Sequence, residues 1–290
     1  METEQRLAYE ARVRNRQAAI AAAAGILLML AVIVQLGGAH VSVNEKTLGL
    51  ITEHKRATRD LIGSIIAGFS LVALAWTLKW LWDATRAREP NLRPWFMGWI
   101  AVAGGVIQAV GVVAYAVAFG NAASDFVSHG NQTFPEANAL LTKGPLVAAQ
   151  IANYLGLLLL AVAIVLISLN AMRVGLLTRF LGYLGIIAGV LTILPLVPIP
   201  IVEAYWLLAL AYLLSGRWPS GVPPAWSTGK VERWPSSAEL RAARGQPAPR
   251  GGRAKRAPEP APQAVGGPAP AGTPGSTRAT TPKRKRKRRK

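Results

Sequence analysis

From residue 18 to residue 37 the chain reads AAIAAAAGILLMLAVIVQLG, twenty residues without a charge. A helical run of about 20 apolar residues is what it takes to cross the roughly 30 Å hydrocarbon layer of a bilayer. Comparable runs follow at residues 61–82, 97–119 and 145–170. Each mixes small residues with Leu, Val and Ile, a composition suited to helices that pack closely in lipid. Residues 180–215 form a longer apolar stretch that would measure about 50 Å as one helix, so it must fold back. Its middle, PLVPIP, places Pro195, Pro198 and Pro200 where they remove backbone donors and disfavour helix in the residues before them. The pattern predicts a tight hairpin of two short membrane helices, 180–196 and 201–215. The fold class expected is therefore all-α, a polytopic transmembrane helical bundle of about six spans within residues 18–215.

Charge divides the chain differently. The net charge is +19, yet from Gly216 onward there are 18 Lys and Arg against three acids, so about +15 of it lies in the last quarter. Before the first span lies a cytoplasmic arm, residues 1–17; after the last come a juxtamembrane Trp/Arg segment at 216–245 and a disordered polybasic tail at 246–290. The tail is Gly, Pro, Ala and Arg with little that could build a core.

Lys and Arg counted over the short connections set orientation. Arg6, Arg12, Arg14, Arg16, Lys79, Arg86, Arg88, Arg93, Arg173 and Arg179 fall on one side, against Lys46, Lys55, Arg56, Arg59 and Lys143 on the other. This places both termini in the cytoplasm. Trp76, Trp80, Trp82, Trp95 and Trp99 gather at the same interface, where indole is favoured, and Lys79 can snorkel there beside Asp83.

The chain ends in eight cations: Lys283, Arg284, Lys285, Arg286, Lys287, Arg288, Arg289 and Lys290. Each base near an anionic leaflet contributes on the order of 1 kcal/mol, so the expected partner is the bilayer's anionic head groups. The same polycation would also contact nucleic acid or the ribosome non-specifically, by counterion release. Arg217-Trp218 and Arg233-Trp234 repeat sixteen residues apart with Trp226 between them, which reads either as a membrane-surface collar or as a linker with chance tryptophans. A capping box at 236–239 suggests a short helix after it.

Polar side chains at membrane depth are the place to look for a ligand site. Gln108, Tyr115, Gln150, Asn153 and Glu203 all fall toward the outer halves of their spans, and together they define a candidate outward-facing pocket. The competing reading is that the amides hydrogen-bond across helices as packing contacts. Gly185–Gly189 and the Ala101, Gly105, Ala109 stripe allow close helix approach, within one bundle or between copies in a homo-oligomer.

There is no cysteine, no GxSxG, HExxH, P-loop or dinucleotide fingerprint, and no histidine within a span. His40, His54 and His129 belong to the outer loops; Asp125 and His129 are spaced to ligate a metal, but a solvated role is the expectation. No cofactor, no metal and no enzymatic activity are expected.

Four stretches carry a resemblance: AHVSVNEKTLGLITEHKRATRDLIG at 39–63, SHGNQTFPEANALL at 128–141, SLNAMRVGLLTRFLGYLGI at 168–186 and AYWLLALAYLLSGRWPSGVPPAW at 204–226. Together they resemble an uncharacterised actinobacterial family of six-span integral membrane proteins. The resemblance implies a bacterial plasma-membrane location and a helical bundle; no activity is assigned to that family, so no catalytic residue follows. The chain reads as a non-enzymatic membrane component with a lipid-contacting tail, or else as a small-solute transporter or sensor using the polar pocket.

Overall fold

The computed structural model describes residues 3–36, 46–194, 200–219, 221–232 and 242. The chain divides into Met1–Ser237 and Ala238–Lys290. Of the second unit only Ala242 is described, so the architecture below is that of the first. His40, Pro195, Pro198, Arg233, Trp234, the capping box at 236–239 and the cations at 283–290 lie outside the described residues.

Among the described residues all regular structure is helical. α1 (Thr3–Leu36), α2 (Lys46–Arg88), α3 (Met97–Ser128) and α5 (Gly144–Arg173) are the long helices; α4 (Phe134–Leu141), α6 (Arg179–Ile193), α7 (Ile201–Leu214) and α8 (Ala225–Thr228) are short. Each long or medium helix packs on the next, α1 on α2, α2 on α3, α3 on α5, α5 on α6 and α6 on α7, and α7 returns to α1. Six helices thus close a ring in chain order. α2 and α5 also touch, and α4 lies against α2 and α3.

The helices outrun the apolar stretches that define them. The arm at 3–17 continues into α1 without a break, and residues 46–60 begin α2, which at 43 residues is about 65 Å long. Charge alone does not end a helix when Ala, Leu, Glu, Lys and Arg, all good helix formers, carry it. α1, α2, α3 and α5 are long and apolar enough to cross a membrane. α6 and α7, at 15 and 14 residues, reach only about 22 Å each.

Apolar side chains cover both sides of the ring. Trp82, Leu78, Leu160, Ile164, Trp206 and Leu207 are buried inside it, whereas Ile33, Phe69, Val110, Ile151 and Ile187 stand more than half exposed on the outside. A surface so rich in large exposed apolar residues is unsuited to water and suited to hydrocarbon. Close approach is built from small residues. Gly185 faces Ser168 and Trp206, Gly189 faces Val165 and Ala161, and Gly105 faces Ala75, so both small-residue stripes are used within the bundle.

Local chemistry sets the ends of the elements. α1 has no base in its last turn, and α2 supplies two: Arg56 Nη2 donates to the Gln35 carbonyl and Arg59 Nε to that of Val34, both at 2.6 Å. These are carbonyls the helix leaves unpaired, at the negative end of its dipole. α5 stops in a Schellman turn, with Leu176 N–H donating to Ala171 O at 2.9 Å and Gly175 N–H to Met172 O at 3.1 Å. Gly175 takes φ +83° there, and a side chain at that position would run into the Glu232 carbonyl. Thr178 then caps α6 by accepting from Leu181 N–H.

Outside the ring proper, the first turns of α2, the last of α3 and the whole of α4 make a second small core around Leu50, Ala123, Phe126, Ala137 and Leu140. Lys46 ties it together by donating to Asn138 Oδ1 at 2.5 Å.

Candidate functional site

At the arginine-rich end of the ring a buried ion pair sits under an aromatic lid. Arg88, in the last turn of α2, donates to both carboxylate oxygens of Glu10 on α1, at 3.1 and 2.6 Å. Two further N–H groups, one on Nη1 and the one on Nε, go to the Ala84 carbonyl and the Ala225 carbonyl, each at 2.8 Å. The Arg88 side chain has no exposed surface and that of Glu10 has 8%. Trp226 on α8 covers the guanidinium at 5.0 Å, stacks on Trp80 with ring centres 5.3 Å apart, and donates its indole N–H to Leu176 O at 3.0 Å. Residues 217–219 and 221–232 therefore lie across this end of the ring, from the end of α7 to the α5–α6 turn, where Glu232 N–H reaches Val174 O at 3.3 Å.

Trp226 is thus a buried structural residue. Trp218 is half-buried against Tyr212, and Arg217 is exposed beside the groove between α1 and α7. Sequence reasoning missed Glu10 and Arg88 as a pair. The available signal was one acid, Glu10, set among Arg6, Arg12, Arg14 and Arg16.

The five polar residues named within the apolar stretches do not gather in one place. Gln108 and Asn153 lie one helical turn apart on the α3–α5 interface. Each faces a glycine of the other helix: a methyl on Gly156 would overlap the Gln108 backbone, and one on Gly111 would stand 2.5 Å from Asn153 N. Gln108 Oε1 and Asn153 Oδ1 are both buried without a hydrogen-bond partner. Gln150, one turn further along, is exposed. Tyr115 is half-buried and stacks on Phe119 at 5.6 Å. Glu203 is buried in the first turn of α7 against Thr192 of α6, and α7 has α6 and α1 as its ring neighbours.

Beyond the apolar stretch of α2, Glu53 faces Asp60 two turns away. Partial burial, then repulsion from Asp60 and a hydrogen bond with it, push the Glu53 carboxyl up to about 7, with Arg56 pulling the other way. His54 and His129 are exposed, and Asp125 pairs with Lys143 at 3.6 Å. Among the described residues no three His, Cys, Asp or Glu side chains come together as metal ligands.

Fold and site together define an all-helical protein with four helices suited to crossing a membrane, closed at its arginine-rich end by an aromatic-covered ion pair. No protein family, curated protein or solved structure matches the chain.

Proposed function

We propose that the chain is a non-enzymatic component of a bacterial plasma membrane, of the actinobacterial six-span type, with both termini cytoplasmic and the polybasic end held to anionic lipid. The observation that carries this reading is the filled ring. Leu78, Leu81, Trp82, Leu160, Ile164 and Trp206 occupy its inside with almost no exposed surface, and Trp226 with Arg88 covers one end. Packing of this kind supports a body that holds position and presents its ends; in this reading α6 and α7 are the short last pair of spans.

Topology and lipid contact are tested separately. A reporter fused after Lys290 should be active on the cytoplasmic side; activity only on the opposite side ends the reading. Vesicle binding by the tail should require anionic lipid, and indifference to lipid charge would leave nucleic acid or the ribosome as the better partner for residues 283–290.

A small-solute transporter or sensor is the second reading, favoured by the two unpartnered amide oxygens of Gln108 and Asn153 and by buried Glu203. Replacing Gln108, Gln150, Asn153 and Glu203 with apolar residues leaves a scaffold working and abolishes solute-dependent behaviour.

A further inference from the structure

A cavity of about 360 Å³ opens on the outside of the ring near its arginine-rich end, on the face of α2 that lies between α1 and α3. Its two ends differ in chemistry. Arg6, Glu10 and Asp83 line the end nearest the termini of α1 and α2, while Trp76, Trp99 and Val102 line the end that runs into the apolar stretch. Gln17 and Lys79 stand between them. Trp76 and Trp99 are 56% and 61% exposed, so the apolar end is open along the flank of the helices.

The charges at the polar end do not cancel. Arg88 takes both Glu10 oxygens, and Lys79 takes Asp83 at 2.5 Å. Arg6 is left over: its closest carboxylate oxygen, Glu10 Oε1 at 3.8 Å, is already accepting from Arg88, and its Nε is buried without a hydrogen-bond partner. The cluster of Arg6, Lys79, Arg88, Glu10 and Asp83 therefore carries one net positive charge beside an apolar slot. Gln17 adds a second unmet demand. It is 5% exposed, and its Oε1 is buried with no donor.

One excess cation, one unmet acceptor and an adjoining apolar channel fit one kind of molecule. We propose that this cavity binds a membrane phospholipid, its phosphodiester between Lys79 and Arg6, a hydroxyl or ammonium of its head group donating to Gln17 Oε1, and one acyl chain lying along Trp76, Trp99 and Val102. A single phosphodiester charge neutralises the excess. A free phosphate would satisfy Arg6 but leave the apolar end empty, and a hydrocarbon alone would leave Arg6 and Gln17 as they are. The site belongs to the helical unit and makes no use of residues 283–290, so it stands or falls apart from the tail's contact with lipid.

The test is native mass spectrometry of the full chain, delipidated in detergent and titrated with phosphatidylglycerol. Wild type retains one lipid more tightly than any others. Arg6→Gln lowers that affinity about fivefold, and Arg6→Gln with Lys79→Gln about twenty- to thirtyfold, from roughly one cation's worth of surface attraction each. Arg6→Lys keeps most of it. Gln17→Leu weakens phosphatidylglycerol but not phosphatidylcholine, whose choline has no donor. Water-soluble glycerophosphoglycerol, the head group without chains, does not bind at the same concentrations. The double variant loses the Lys79–Asp83 pair, so a thermal melt and a single symmetrical gel-filtration peak accompany each protein, and Arg6→Gln alone decides if the double variant misfolds. Unchanged retention in Arg6→Gln overturns the proposal. So does equal binding of the chain-free head group, or loss of the tight lipid when residues 283–290 are changed to Gln while Arg6 is intact.

Discussion

The Glu10–Arg88 pair gives the most direct check on how the arginine-rich end is held. Arg88→Leu removes a fully buried cation that satisfies both Glu10 oxygens and two backbone carbonyls, Ala84 and Ala225. What remains is a carboxylate with 8% of its side chain exposed and no cation nearer than Arg6 at 3.8 Å. Breaking a buried pair in this way costs about 3–5 kcal/mol, because the surviving charge stays out of water without compensation. For a helical unit of this size that corresponds to a fall in Tm of roughly 6–20 °C, at about 2–4 °C per kcal/mol. Glu10→Leu is the milder change, since Arg88 keeps two carbonyl acceptors and the face of Trp226. The double variant Glu10→Leu, Arg88→Leu buries no charge and recovers most of the loss, because replacing a whole buried pair with apolar groups is often neutral. Melting in detergent followed by tryptophan fluorescence reads all four proteins. If Arg88→Leu melts within about 2 °C of wild type, or the double variant loses the sum of the single losses, the charge-burial reasoning is wrong.

Three further outcomes follow from the same geometry. Trp226→Ala removes the stack on Trp80, the cover on Arg88 and the donor to Leu176 O, costing about 3–5 kcal/mol and speeding tryptic cleavage at exposed Lys230; Trp226→Phe keeps the stack and loses less. Gly156→Leu forces α3 off α5 at Gln108 and should reduce folded yield severely on gel filtration, whereas Gly49→Ala, with open space around it, is neutral or gains about 0.5–1 kcal/mol. Protonated Glu53 favours the folded chain, because its folded value of about 7 lies above 4.5; its contribution is complete below pH 4.5 and fades as pH rises through 7. Tm measured across that window should decline less steeply in Glu53→Gln than in wild type, and parallel profiles would contradict the placement of Glu53 beside Asp60.

The apolar runs and the prolines of PLVPIP were enough to read the helical class, the four long apolar helices and the shortness of the last two. Hydropathy is a property of consecutive residues, and length against bilayer thickness needs no knowledge of neighbours. Hydropathy marks where a helix is apolar and says nothing of where it ends. Residues 3–17 and 46–60 lie outside the apolar runs and are helical as well, and Arg56 and Arg59 from the second of these segments donate to the last carbonyls of α1.

Pairing across the fold was beyond the sequence. Gln108 and Asn153 were legible as a pair of similar depth, since depth is counted along each helix, but which residues face them depends on the register of α3 against α5, which Gly111 and Gly156 fix by contact. Glu10 and Arg88 are 78 positions apart, and Trp226 is 138 beyond Arg88. Only closure of the ring, with residues 221–232 laid across it, brings these three together and makes a tryptophan that read as either collar or linker the cover of a buried charge.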